Sequence, residues 1–134
     1  MIYSIDKLML QTRVLAKNFY QMTGQSLPVS LELAKYDFSC LDILSLQDKS
    51  PLIDKTSVHI KAKVLFKPRM DTKIGLLNFK STWQYVALVL YHSDYYPFEI
   101  YMAPRDVLFE GFKISSKALS IAKFKRFSQL VWSN

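Results

Sequence analysis

Residues 83 to 92, with the sequence WQYVALVLYH, constrain the fold of this chain more than any other segment. Val86 to Leu90 form an almost continuous apolar run. Such a run is typical of a central β-strand that is covered on both faces, because a strand with one solvent-exposed face alternates apolar and polar residues. The segment therefore predicts a sheet with strands on either side of this one and helices above and below it.

Two other segments have the patterns of its neighbouring strands. Residues 57 to 66, SVHIKAKVLF, alternate between two faces. One face has Val58, Ile60, Ala62, Val64 and Phe66, and the other has Ser57, His59, Lys61, Lys63 and Leu65. Residues 98 to 103, FEIYMA, follow the short turn HSDYYP, which predicts an antiparallel hairpin with the central strand.

Two helices are predicted before the strands. Residues 2 to 22 have apolar side chains at three- and four-residue steps, which indicates one buried helical face. That predicted face comprises Ile2, Ile5, Leu8, Met9, Leu15, Phe19 and Met22. Polar residues, Arg13 among them, fill the other side, and Gly24 is the expected C-terminal stop.

The second helix is predicted from Pro28 or Ser30 to about Cys40, with Ser30 as the cap and Glu32 in the first turn. LDILSL, residues 41 to 46, either finishes this helix or enters a strand. Pro104 suits a helix start or a sharp exit from the hairpin.

Residues 112 to 132, FKISSKALSIAKFKRFSQLVW, are consistent either with a short strand plus a helix or with one basic amphipathic helix. The expected inner face comprises Leu119, Ala122, Phe127, Leu130 and Val131. Taken together, the elements predict an α+β fold with a mixed β-sheet flanked by helices, in a single domain over residues 1–134.

Composition narrows the class of protein further. Lys and Arg outnumber Asp and Glu by 18 to 11, a net charge of +7 that favours polyanionic partners, nucleic acid first. The single cysteine, Cys40, excludes an intrachain disulfide and a CxxC metal site, and we expect it in the core or at its boundary. With neither a signal peptide nor a membrane span in the sequence, we expect a cytoplasmic protein without a membrane partner.

Four residues near the alternating strand have the chemistry of a phosphodiesterase site, in which carboxylates hold Mg²⁺ and a lysine orients water or stabilises charge. His59 and Lys61 share one face of the strand, Asp54 precedes it, and Glu32 comes from the helix before it. Each residue also has an ordinary interpretation. Glu32 suits a helix start, Asp54 a turn, and the strand residues a solvated face.

An ordered series of sequence motifs also supports these four residues as a candidate site. LPVSLELAKY, LDILSL, SPLID and VHIKAK precede WQYVALVLYHSDYYPFEIYMAPRDVLFE. In this order they resemble a family of uncharacterised prokaryotic proteins in the PD-(D/E)xK, restriction-endonuclease-like superfamily. The resemblance spans residues 24 to 110 and implies a restriction-endonuclease-like core.

The resemblance implies that Glu32, Asp54 and His59 bind Mg²⁺ or Mn²⁺ and that Lys61 is the catalytic lysine beside them. His59 stands where the superfamily has Asp, Glu or Gln, and imidazole is a poorer Mg²⁺ ligand than a carboxylate. Two alternatives therefore stay open: an active, metal-dependent endonuclease, or a degenerate domain that has kept the fold without cleavage.

DNA is the predicted partner, and the resemblance also implies a homodimer. The predicted phosphate contacts are Lys63, Lys67, Arg69, Lys123, Lys125 and Arg126. The alternatives in other classes are a non-catalytic nucleic-acid-binding or protein-interaction module and a structural subunit.

Overall fold

The computed structural model describes residues 4–41, 58–65, 82–111 and 120–134. Two helices come first, then three strands, two short helices and a last strand. The elements are α1 (Ile5–Thr23), α2 (Leu31–Cys40), β1 (Val58–Val64), β2 (Tyr85–Tyr91), β3 (Pro97–Pro104), α3 (Arg105–Gly111), α4 (Ile121–Arg126) and β4 (Gln129–Ser133).

The strands form one mixed sheet in the order β1-β2-β3-β4. β1 pairs with β2 in parallel, and β2 pairs with β3 and β3 with β4 antiparallel. The predicted α+β class with a mixed sheet and flanking helices is confirmed, as are the central position of β2 and its hairpin with β3. The restriction-endonuclease-like core stays a prediction.

Each face of the sheet has its own apolar layer. On one face, Val58 and Ile60 of β1 pack with Phe38 of α2. On the other face, Leu88 and Leu90 of β2 pack with side chains of α3 and α4, namely Leu108, Ile121 and Phe124. Helices therefore cover both faces of β2, whose residues from Val86 to Tyr91 are fully buried, as a continuous apolar run requires.

The predicted ends of the first two helices agree with the structure. Gly24 closes α1 at φ 71°, a left-handed conformation that glycine adopts without a Cβ clash, and its N–H bonds to the Tyr20 carbonyl. Ser30 caps α2 by accepting a hydrogen bond from the Leu33 N–H. Pro104 ends β3 directly before α3, in agreement with the expected sharp exit.

The predicted inner face of α1 is wrong for four of its seven residues; Met9 and Phe19 are partly buried, and Ile2 lies outside the described residues. Arg13 and Ala16 are the buried residues of this helix, whereas Ile5, Leu8, Leu15 and Met22 are exposed. The physical reason is a buried partner for Arg13, Asp37 of α2, which turns the side of α1 with Arg13 and Ala16 toward the domain.

Two smaller predictions also need correction. From residue 120 onward, the described part of the C-terminal segment is a helix followed by a strand, so it is not one continuous helix. Ile121 and Phe124 are buried there and Leu130 is 45% exposed, while Leu119 lies outside the described residues. Leu130 lies in edge strand β4 and not on a helical inner face. Cys40 is exposed at the end of α2 and is not a core residue.

No helix in the described ranges is long and apolar enough to cross a membrane.

Candidate nucleic-acid interface

Strand β1 places two lysines side by side on one face of the sheet. Val58 and Ile60 point toward α2, so the alternation of the strand turns Lys61 and Lys63 toward the opposite layer, which contains α3 and α4. Leu65, next on the same face, packs into that layer. The strand prediction that grouped these lysines with His59 is therefore confirmed.

The two lysines are partly buried, and the described residues place no compensating charge beside them. Burial, followed by the positive charge of Lys63, lowers the pKa of Lys61 below its ordinary value. Within the described part of the chain, neither lysine has an ion-pair or hydrogen-bond partner. An anion placed over β1 would offset both the burial and the mutual repulsion of these two charges.

His59 lies on the same face at the start of the strand. Its ring stacks on Trp83, with centroids 5.9 Å apart and an interplanar angle of 19°. Burial, and then the charge of Lys61, lowers the pKa of His59 below 6.5, so the imidazole is neutral at pH 7. A neutral imidazole adds no positive charge to this face and can accept or donate a hydrogen bond.

Because the pKa of His59 is lower in the folded than in the unfolded chain, the folded state binds fewer protons. Stability is then fully present above pH 6.5 and falls as the pH drops from there toward the lowered value. We expect His59→Gln to reduce this acid loss, measured as the free energy of unfolding in urea at about pH 7, 6 and 5. Equal pH dependence in wild type and variant would contradict the lowered pKa.

Helix α4 brings further basic residues to the same side of the sheet. Lys123 and Arg126 are exposed there. Lys125 is engaged instead: its Nζ lies 3.5 Å from the Glu99 carboxylate and 4.9 Å from the centroid of the Tyr101 ring. Lys125 thus holds α4 to β3, and Lys123 and Arg126 are the residues of this helix that are available to an anion.

A cavity of about 380 Å³ lies where α4 turns into β4. Its lining combines apolar side chains such as Met102 and Val131 with the polar residues Arg126, Ser128 and Gln129. The Ser128 Oγ is buried, and nothing in the described ranges bonds to it. The cavity has the size of a small-ligand site, with the cation Arg126 in its lining.

Glu32 lies in the opposite layer from His59 and Lys61. It is in the first turn of α2, which packs on the other face of β1, and its carboxylate is exposed and 3.9 Å from Lys35. Within the described ranges, no three His, Cys, Asp or Glu side chains are grouped so that they could hold a metal. Glu32 and His59 by themselves therefore do not form the ligand set of a Mg²⁺ or Mn²⁺ site.

Three predicted site residues, Asp54, Lys67 and Arg69, lie outside the described residues. The structure therefore places six of the predicted residues on the face shared by β1 and α4 and one, Glu32, in the other layer. The six are His59, Lys61, Lys63, Lys123, Lys125 and Arg126.

A buried polar network is the main feature that the sequence did not predict. Arg13 donates to both Asp37 carboxylate oxygens, at 2.8 and 3.1 Å, and also to the Tyr95 carbonyl. The Tyr91 hydroxyl donates to Asp37 at 2.7 Å. Burial, and then the charge of Asp37, raises the pKa of Tyr91 and keeps it protonated as a donor. The available signal was the position of Asp37 on the same helical face as Leu33, Ala34 and Phe38.

The chain matches no known family model, and no curated protein is significantly similar to it in sequence.

Proposed function

We propose that this domain binds nucleic acid in the cytoplasm by contacting the phosphate backbone, with duplex DNA as the partner. The observation that supports this function most directly is the pair Lys61 and Lys63. Both are partly buried on one face, and neither has a compensating partner in the described part of the chain. Phosphates would supply the missing charge, since lysine is a common ligand of phosphate oxygens.

The position of α4 supports a surface wider than one strand. Lys61 of β1 pairs with Leu88 of β2, which pairs with Tyr101 of β3, and Lys125 of α4 lies over the Tyr101 ring. Strands in a sheet are ~4.8 Å apart, so α4 lies two strands away from the lysines of β1, an offset of roughly 10 Å in the plane of the sheet. Lys123 and Arg126 therefore extend the basic surface beyond β1.

The test is the salt dependence of DNA binding, measured by fluorescence anisotropy with a labelled duplex over a series of salt concentrations. Each lost phosphate contact should reduce the slope of log affinity against log salt by about 0.9. We expect the double variant Lys61→Ala/Lys63→Ala to reduce the slope by roughly twice that amount and to weaken binding uniformly across DNA sequences.

The matched control is Lys17→Ala/Lys35→Ala, which removes the same charge from exposed positions on α1 and α2, in the other layer. We expect it to keep most of the wild-type slope. Absence of binding by the wild-type protein at low salt, or an equal loss of slope in both double variants, would count against the proposal.

A second candidate function is metal-dependent phosphodiester cleavage, and the lowered pKa of Lys61 favours it. A lysine whose pKa is lowered by burial and a neighbouring charge is a candidate for proton transfer or charge stabilisation at a reaction centre. Because the described residues contain no fitting metal-ligand group, this candidate depends on Asp54, which lies outside them.

Cleavage is tested with a labelled duplex and Mg²⁺ or Mn²⁺, comparing the wild-type protein with Asp54→Ala and Lys61→Ala. Loss of product in both variants, with each still folded by circular dichroism, supports a site at β1. Cleavage that persists in both variants would exclude this site as its source.

A further inference from the structure

The cavity where α4 turns into β4 has mainly apolar walls. Its volume of about 380 Å³ lies in the range of small-molecule sites. Met102 of β3, Val107 of α3 and Val131 of β4 supply much of the aliphatic surface. Val107 is 41% exposed, so part of this apolar surface is in contact with solvent. An aliphatic group that entered the cavity would remove such surface from water.

The cavity lining also contains one positive charge. Arg126, the last residue of α4, contributes it, and no Asp or Glu is among the lining residues that the structure describes. Across the described ranges, Arg126 has neither an ion-pair nor a hydrogen-bond partner. An anionic group in the cavity would therefore gain a charge-assisted hydrogen bond without displacing a carboxylate of the protein.

Two uncharged residues of the lining add hydrogen-bond donors. Tyr85 is partly buried and Gln129 is exposed, and a phenol hydroxyl and a side-chain amide can both donate to a carboxylate oxygen. A carboxylate has a single negative charge, which one arginine compensates with two parallel hydrogen bonds. A phosphate monoester carries nearly two charges at neutral pH and would stay undercompensated here. The lining therefore favours a carboxylate.

The sheet separates the cavity walls from the lysines of β1. Tyr85, Met102 and Val131 pack in the apolar layer on the α2 side of the sheet, whereas Lys61 and Lys63 are on the opposite face. A base of a nucleic acid bound over β1 would have to pass around the sheet to reach these walls. This arrangement favours a separate small ligand as the occupant of the cavity.

We propose that the cavity binds a small aliphatic carboxylate, with Arg126 at its charged end and Met102 and Val131 along its apolar part. The site does not rest on nucleic-acid binding, because its walls lie on the other side of the sheet from Lys61 and Lys63. Its test also contains no nucleic acid, so either proposal can fail while the other stands.

The test is isothermal titration calorimetry of the full chain with octanoate as the probe. We expect octanoate to bind with a Kd below about 1 mM. Acetate keeps the carboxylate without the aliphatic body, and octylammonium keeps the body with the opposite charge. Each should bind at least about 10-fold more weakly than octanoate, because each loses one of the two interactions that the lining offers.

Arg126→Gln tests the charged end of the site. We expect it to weaken octanoate binding about 10-fold and to narrow the preference for octanoate over octylammonium, since a hydrogen bond to a charged group is lost. The matched control is Lys123→Gln, which removes an exposed charge from the same helix at a residue outside the lining. It should bind octanoate as the wild type does.

Val107→Trp tests the apolar part, because the larger side chain would occupy the entrance of the cavity. We expect it to weaken octanoate binding about 10-fold, whereas Val14→Trp, at a valine of α1 that is 46% exposed, should not. Failure of octanoate to bind below about 1 mM overturns the proposal. So does an equal effect of Arg126→Gln and Lys123→Gln, or of the two tryptophan variants, when circular dichroism shows that all are folded.

Discussion

Replacing Asp37 with alanine is expected to lower the free energy of unfolding by about 3–5 kcal/mol, because the substitution leaves the buried guanidinium of Arg13 without its counter-charge. The side chains of this pair are only 7% and 8% exposed. Water therefore cannot replace the carboxylate. The same substitution also removes the acceptor of the Tyr91 hydroxyl, a second buried group left without its partner.

Urea denaturation of Asp37→Ala, followed by circular dichroism, measures this loss. Tyr91→Phe is the graded comparison: it removes one hydrogen bond and leaves the ion pair, and we expect it to cost about 1 kcal/mol. Arg13→Met/Asp37→Leu replaces both charges with apolar side chains and should recover part of the loss. If Asp37→Ala is no more destabilising than Tyr91→Phe, the ion pair does not hold α1 to α2 as described.

Phe124→Ala is expected to lower the free energy of unfolding by a similar amount, about 3–5 kcal/mol. Phe124 is fully buried between α4 and the sheet, together with Leu88 and Leu108. The six-residue α4 is too short to be helical by itself, so its structure depends on tertiary packing of this kind. The substitution therefore also displaces Lys123 and Arg126.

Two readouts separate the effects of Phe124→Ala. Thermal unfolding gives the stability loss, and DNA anisotropy well below the melting temperature reports on the placement of the basic residues. Lys123→Ala is the control, because it removes one exposed charge and leaves the packing of α4 intact. A stability change below about 1 kcal/mol would contradict the burial of Phe124, since deletion of a buried phenyl ring costs several times that amount.

Local patterns predicted much of the scaffold. The run from Val86 to Leu90 identified the central strand because only burial on both faces tolerates such a sequence. The alternation from Val58 to Val64 assigned Lys61 and Lys63 to one face, since a strand has no other way to arrange successive side chains. Gly24 and Ser30 identified helix ends through backbone chemistry that acts within a few residues.

The candidate site was predicted less well because it depends on the layer in which each helix packs. Periodicity identified α2 and placed Glu32 in its first turn, yet it does not say which face of the sheet a helix covers. Phe38 settles this by packing with Val58 and Ile60, which places Glu32 across the sheet from Lys61. The basic residues of α4 lie on the same face as Lys61 and Lys63 because Ile121 and Phe124 pack α4 onto that face.

The sequence by itself determined the α+β class, the central hairpin, the helix caps and the shared face of the β1 lysines, because each follows from burial or backbone preference within a short segment. Only the tertiary structure decided the orientation of α1. Its strongest apolar pattern lies on the exposed side because Arg13 binds Asp37, 24 residues along the chain. A buried ion pair needs one geometry and both partners, and that requirement outweighed the local apolar periodicity.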